Sequence, residues 1–312
     1  MKFIGLDLGG TNIKVGVVTE KGEVLRKEEF PTCADKGRDV VLRQMEKAIQ
    51  EVWDEDVRGI GIGTPGLVDR EGRVFQAPNL PEWNNIHLRQ FFEDKFSLPV
   101  KVENDVNTIT WGEFNFGAGK GSRTMICITL GTGLGGGVVL DGKLLRGGEY
   151  SAVEIGHIPI NFKGPRCKCG NIGCVERYVG AKYISALAKR SIRRGKKSII
   201  EKLVEGDLDR ITPKVISEAY QAGDPLAEEI WKKVGLYLGT LFSGLVNLFN
   251  PDCIVIGGGI SQAGKILFDS VEKTIRERAF PALLDNLKVL PASLGKFSGI
   301  VSAASLIINP PF

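Results

Sequence analysis

The 312-residue chain is long enough for two domains, each with its own core, and its 43% hydrophobic and 25% charged residues are an ordinary soluble balance. A net charge of +4 is too small to imply a nucleic-acid partner, and no apolar run is long enough to span a membrane. The N-terminal KFIGLDLGG carries an acid and lacks a signal-peptide cleavage pattern, so a reducing cytoplasm is expected.

Residues 2–8 (KFIGLDL) form a short apolar run holding Asp7; Gly9, Gly10 and Thr11 follow, then a second strand-like run, NIKVGVV. Glycines in such a turn let backbone N–H groups face a phosphate; Thr11 adds a hydroxyl and Lys14 a cation. Any tight hairpin can also hold Gly-Gly. A run at 23–30 extends the meander. Residues 39–53 have helical spacing, with Val41, Met45, Ala48, Ile49 and Val52 on one face. VRGIGIG at 57–63 reads as a buried strand entering loops that include TPGLVD and PNLPEW. HLRQFFEDKF is a short helix, and PVKVEN at 99–104 another strand. That strand leads into Asn104, Asp105 and Asn107 at a predicted helix start. An Asp there can simply cap the helix, although two asparagines crowd more polar groups into the turn than capping needs.

The second half opens like the first: a strand at 123–130, the turn Gly-Thr-Gly, and a strand at 134–140. The repetition, about 120 residues on, suggests two related domains whose turns could grip a polyphosphate from both sides. Next, Cys167, Cys169 and Cys174 fall within eight residues, with His157 just upstream. Cys-x-Cys-x4-Cys plus His is a ligand set that tetrahedral Zn²⁺ prefers, and a closed four-ligand site is structural. Gly170 and Gly173 let the backbone turn tightly enough for the thiolates to converge. A disulfide would leave one cysteine unpaired, and three small buried hydrophobes is the remaining alternative. Glu154 and Glu176 flank the cluster; a pinned loop could turn both carboxylates and the imidazole to a polar ligand. The basic run KRSIRRGKK at 189–197 reads as a solvated helix end and loop rather than a polyanion site. Helices are predicted at about 179–194, 212–222, 225–249 and 262–277, strands at 251–259 and 287–290, and a last apolar helix at 298–308. The expected division is a smaller domain, 1–117, onto which the C-terminal helix (about 298–312) packs back, and a larger one, 118–297, with the metal loop.

DLGGTNIK, GTPG, PNLPEW, ENDVN, LGTGLGGG, EIGH, CKCGNIGCVE and IGGGIS, in this order, resemble the ROK family of bacterial sugar kinases and sugar-responsive repressors, its glucokinase-like branch above all. The resemblance covers essentially the whole chain. It implies the α/β actin-like ATPase fold, two ribonuclease-H-like domains around a cleft. It implies Asp105 as catalytic base, with Gly66, Asn79, Asn104, Glu154, His157 and Glu176 around the sugar. Gly9, Gly10, Thr11, Thr132 and Gly133 would approach the ATP phosphates, Gly257 and Gly258 the adenosine, and Asp7 would sit near Mg²⁺. His157, Cys167, Cys169 and Cys174 would be the Zn²⁺ ligands. The implied activity is ATP-dependent phosphorylation of a hexose, D-glucose at its 6-hydroxyl, with N-acetylmannosamine and N-acetylglucosamine as alternatives, in a homodimer. Family repressors carry an N-terminal DNA-reading domain; here Lys2 already begins the first strand, so a regulator is not expected. The chain departs from the family at Tyr150 and Val153, where glycines are usual, next to the loop that the resemblance places at the sugar.

Overall fold

The computed structural model of the chain describes residues 1–77, 80–149 and 153–311. Two compact units emerge: Met1–Ile126 with Gly137–Val153 and Ala292–Phe312, and Cys127–Gly136 with Glu154–Pro291.

The first unit begins with β1 (Lys2–Leu8), β2 (Asn12–Thr19) and β3 (Val24–Pro31), followed by α1 (Arg38–Glu51) and β4 (Val57–Thr64). Three short strands come next: β5 (Leu67–Val68), β6 (Val74–Gln76) and β7 (Asn84–Ile86). Then follow α2 (Leu88–Phe96), β8 (Val100–Asn104) and α3 (Asp105–Phe116). The main sheet has the order β3-β2-β1-β4-β8. The pairs β1/β2 and β2/β3 are antiparallel, while β1/β4 and β4/β8 are parallel. The small strands form their own antiparallel sheet in a region that the sequence reads as loop. Two- and three-residue strands are too short to show a period.

Strand alternation gives the main sheet two unlike faces. Ile4, Leu6, Leu8, Ile13, Val15, Ile60 and Ile62 are buried in one core with Val41, Met45, Ala48 and Ile49 of α1. The opposite positions are Gly5, Gly59, Gly61 and Gly63. A Cβ on Gly5 would strike the Ile300 carbonyl, and one on Gly61 the Ala303 carbonyl. The bare face exists so that the C-terminal helix, numbered below, can lie with its backbone directly on the strands. That helix reads SGIVSAASLII, and its small residues answer the glycines; Gly112 of α3 likewise leaves room for Ser302. Glu113 of α3 fastens the returning chain: its carboxylate accepts from the backbone N–H groups of Ala118 (2.9 Å), Ser293 and Leu294 (both 3.1 Å).

The remaining strands are β9 (Met125–Leu130), β10 (Leu134–Leu140), β11 (Lys143–Leu144), β12 (Cys253–Gly257) and β13 (Lys288–Pro291). Their sheet has the order β11-β10-β9-β12-β13, the same permutation as the first. The pair β10/β11 is antiparallel and β12/β13 parallel, as at the corresponding positions of the first sheet. The later helices are α4 (Glu176–Val179), α5 (Ala181–Arg193), α6 (Ile199–Leu203), α7 (Pro213–Gln221), α8 (Pro225–Phe249), α9 (Lys265–Arg278) and α10 (Ser298–Ile308). The sequence does not announce α4 or α6, of four and five residues. The helix expected from 262 starts at Lys265, because Gly264 has φ 73° and interrupts a preceding 3₁₀ turn. Asp224 caps α8 with Pro225 behind it, the carboxylate accepting from Ala227 N–H at 2.8 Å. No described helix is long and apolar enough to cross a membrane.

Candidate active site and metal centre

In the first unit, the turn between β1 and β2 closes through Gly9 N–H to the Asn12 carbonyl at 2.9 Å. A Cβ on Gly9 would stand 2.8 Å from that same carbonyl, whereas Gly10 faces open space. Buried Thr32, just past β3, ties the turn down: its N–H donates to Thr11 O (2.7 Å) and its hydroxyl to Gly9 O (2.7 Å). Thr11 and Lys14 are exposed. Asp7 lies on the glycine face of β1 against Gly299, within the first turn of α10, where the positive end of the helix dipole favours an anion. Burial nevertheless holds its carboxyl above the usual range, and Lys14 opposes the shift.

Helix α3 is capped by Asn104, not by Asp105. The Asn104 Oδ1 accepts from Val106 N–H (3.0 Å) and Asn107 N–H (3.1 Å). Its Nδ2 donates to Gly66 O (3.0 Å) and to Asp105 Oδ1 (2.9 Å). Gly66 has φ 101° and would collide with the Gln76 carbonyl if it carried a Cβ. Asp105 is the first helical residue. Its Oδ1 also accepts from Val106 N–H at 2.9 Å. Burial first, and the Asp7 charge second, push its pKa up to about 6, against the hydrogen bonds that lower it.

The brace behind this turn was not read from the sequence. Glu103 is 1% exposed and Arg146 8%, yet they form an ion pair, Nε to Oε2, of 2.8 Å. The other Glu103 oxygen accepts from Asn104 N–H (2.8 Å) and Asn107 Nδ2 (3.2 Å). Arg146 also donates to the carbonyls of Val68 and Asp69. A Glu at the end of a buried parallel strand was the available signal, because charges rarely stay buried unless paired.

In the second unit, the turn between β9 and β10 closes from Gly131 N–H to Gly133 O at 3.0 Å. It is held by the segment that follows the cysteine cluster. Glu176 Oε2 accepts from Leu134 N–H at 3.1 Å, and Ala181 N–H donates to Gly131 O at 3.0 Å. The Glu176 carboxylate occupies the place that a Cβ on Gly133 would need. At the end of β12, Gly258 has φ 87°, and a Cβ there would strike the Leu130 carbonyl. Gly257 and Gly258 therefore sit beside the end of β9. Glu154 precedes the 3₁₀ turn Ile155–His157 and is exposed.

His157, Cys167, Cys169 and Cys174 offer ligand atoms that all lie within 4.8 Å of one another. Cys169 Sγ to Cys174 Sγ is 3.7 Å and Cys167 Sγ to His157 Nδ1 is 3.6 Å. A disulfide needs about 2.05 Å between sulfurs. A tetrahedral ion with Zn–S of about 2.3 Å and Zn–N of about 2.05 Å spaces its ligands about 3.8 Å and 3.6 Å apart, so these side chains fit one. Gly170 (φ 93°) and Gly173 (φ 76°) make the turns. Backbone bonds from Cys167 N–H to Asn171 O (2.7 Å) and from Val175 N–H to Ile158 O (2.9 Å) fold the loop on itself.

Asn79 and Tyr150 lie outside the described residues. Val153 has φ 83°, a conformation that is rare for a β-branched residue. The family's usual glycine at such a position has a backbone reason.

Two sheets of one strand order, each opening with strand, glycine turn and strand, define the actin-like ATPase fold. The sequence model of the ROK family matches residues 3–309, and the chain belongs to that family. It is 37% identical to a glucokinase of Thermotoga maritima over 98% of this chain and 97% of the relative. A ROK family glucokinase from Streptomyces griseus, solved in complex with glucose and AMPPNP, superposes with a TM-score of 0.82 at 36% identity, over 98% of this chain and 99% of that one. A xylose repressor of Caldicellulosiruptor bescii is 32% identical over 98% of this chain and 78% of the repressor.

Proposed function

We propose that this protein is an ATP-dependent hexose kinase that phosphorylates D-glucose at its 6-hydroxyl. The observation that carries the reading is Asp105. The cap role is taken by Asn104, and the carboxylate left over has a pKa of about 6, suited to accept a proton near neutrality. Its Oδ1 is committed to two donors, so Oδ2 would take the proton of the 6-hydroxyl. The hydroxyl oxygen would then bond to the γ-phosphorus as the bridge to the β-phosphate breaks and ADP leaves. Asn104 would orient Asp105 and meet the sugar with Gly66 and Asn79. Gly9, Gly10, Thr11 and Lys14 of the first unit, and Thr132 and Gly133 of the second, would present donors to the phosphates, with Gly257 and Gly258 against the adenosine. Asp7 would hold Mg²⁺, which when bound neutralises charge on the phosphates.

Glu154, Glu176 and His157 would receive sugar hydroxyls. With its Nδ1 turned to Cys167, His157 keeps Nε2 for such a contact. Zn²⁺ is the ion that four such ligands suit, and it would supply loop stability rather than chemistry. The reading includes a reducing cytoplasm, which keeps the three thiols available for the metal, and a homodimer, testable by ultracentrifugation.

A coupled ATP assay with glucose, mannose, fructose, N-acetylglucosamine and N-acetylmannosamine tests the substrate. The highest kcat/KM is expected for glucose. An acetylated sugar ahead by about tenfold, or about 1.4 kcal/mol of transition-state binding, would replace glucose with the N-acetylhexosamine reading. Val153 beside Glu154 is the observation favouring that second reading, since an acetyl methyl needs an apolar wall. A sugar-responsive regulator would instead bind DNA in a gel-shift experiment and leave ATP intact.

A further inference from the structure

The second unit holds a cavity of ≈ 300 Å³ that none of the roles above uses. Pro165, Arg177, Tyr178, Tyr183, Arg190 and Lys233 line it, together with Tyr237. Three cations thus converge from α4, α5 and α8, with no carboxylate among the lining residues. Arg177 is not a loose surface charge. Its guanidinium lies 4.3 Å from the centre of the Tyr183 ring, and its buried Nε has no hydrogen-bond partner among the described residues. The buried Tyr178 hydroxyl is unpartnered in the same way, held against Gly164 at the base of the cysteine loop. Tyr178 and Tyr237 pack with ring centres 4.6 Å apart. Burial raises the Tyr237 pKa, and Arg190 acts on it in the opposite sense, which fits a guanidinium near that hydroxyl.

The basic run at 189–197 divides here. Lys189 pairs with Asp209, and Lys196 with Glu229. Arg190 instead joins the cavity. Cations without acids and aromatic walls around one opening suit one kind of ligand: an anion with a ring of sugar size. We propose that this cavity is a second ligand site, for a phosphorylated monosaccharide, with Arg177, Arg190 and Lys233 receiving the phosphate and the tyrosine rings covering the sugar face. This cavity is separate from the residues given to the hexose and would bind its ligand whichever sugar is phosphorylated.

Three of the chain's five tyrosines line the site, so protein labelled with 3-fluorotyrosine reports on it by ¹⁹F NMR. With glucose at saturation throughout, glucose 6-phosphate and inorganic phosphate are titrated separately. The expected result is movement of the Tyr183 and Tyr237 resonances with glucose 6-phosphate at millimolar or lower concentration, and weaker movement with phosphate. Arg190→Glu and Lys233→Glu, both at exposed positions, should each weaken that response by about tenfold or more. Resonances unmoved up to about 10 mM, or equal shifts in the Arg190→Glu/Lys233→Glu double variant, would overturn the site. Phosphate acting as strongly as glucose 6-phosphate would overturn the role given to the tyrosine walls.

Discussion

The two glycine turns sit at matching points of sheets with one strand order, yet they are held by different means. The turn at 9–12 is fastened by Thr32, at the end of a strand in its own sheet. The turn at 131–134 is fastened by Glu176 and Ala181, which follow the Cys167, Cys169 and Cys174 cluster in the chain. The first turn takes its nearby acid, Asp7, from the strand; the second takes Glu176 from a helix start. One topology thus serves two duties. The first turn depends on sheet hydrogen bonds that form with the fold, and the second inherits its order from a loop that a metal would hold.

The largest effect should come from Asp105→Asn. Asn keeps the Oδ1 contacts but cannot take a proton, so kcat should fall by on the order of 10²–10⁴. The same change should stabilise the fold. A carboxylate whose folded pKa lies near 6 rather than near 4 destabilises the native state above that range, and stability is regained as pH falls through about 6. Removing the buried charge is worth up to about 3 kcal/mol at pH 7. A lower melting temperature for Asp105→Asn at pH 7 would contradict this. By the same titration, wild-type kcat/KM should fall as pH drops below about 6.

Metal removal separates the turns most directly. Protein purified without chelator should carry about one Zn²⁺ per chain. Chelation, or Cys174→Ser, should speed backbone hydrogen exchange at 131–134 and α4 and leave 9–12 protected. Equal loosening of both turns would mean that the metal loop acts on the whole molecule.

A smaller contrast lies in the glycines. Gly9→Ala sets a methyl against the Asn12 backbone carbonyl, which cannot move aside, so a loss of about 1–3 kcal/mol is expected in denaturant melts. Gly133→Ala meets the end of a flexible side chain. It should cost about 1 kcal/mol, chiefly the Leu134 hydrogen bond, while raising the KM for sugar as Glu176 is displaced. A larger stability loss for Gly133→Ala than for Gly9→Ala would reverse the comparison.

The smallest effect should be Val153→Gly. Relief of positive φ is worth about 1–3 kcal/mol, and the freer unfolded chain takes back about 1. A net gain of about 1 kcal/mol is expected in thermal melts, and a loss would show that Val153 is held by its side-chain contacts.

Much of this was legible in the sequence because it is written locally. Apolar period marked β1, β2, α1 and β8, and the spacing of Cys167, Cys169 and Cys174 marked a metal-ligand set, since neighbours in the chain must meet in space. ENDVN marked a helix start. It could not say which of Asn104 and Asp105 caps, because that depends on where Gly66 offers its carbonyl. The alternation in VRGIGIG was visible as a strand, but its glycines acquire meaning only when α10, more than 200 residues later, lies on them. The Glu103–Arg146 pair, the Glu176 contact with the 131–134 turn, and the cation-lined cavity join residues far apart in the chain or on different helices. Their energies depend on burial and on partners that no local pattern specifies. Residue order alone says which groups are available and where the backbone can turn; tertiary packing sets which charges are desolvated, and so which carboxyl, Asp105, titrates near 6.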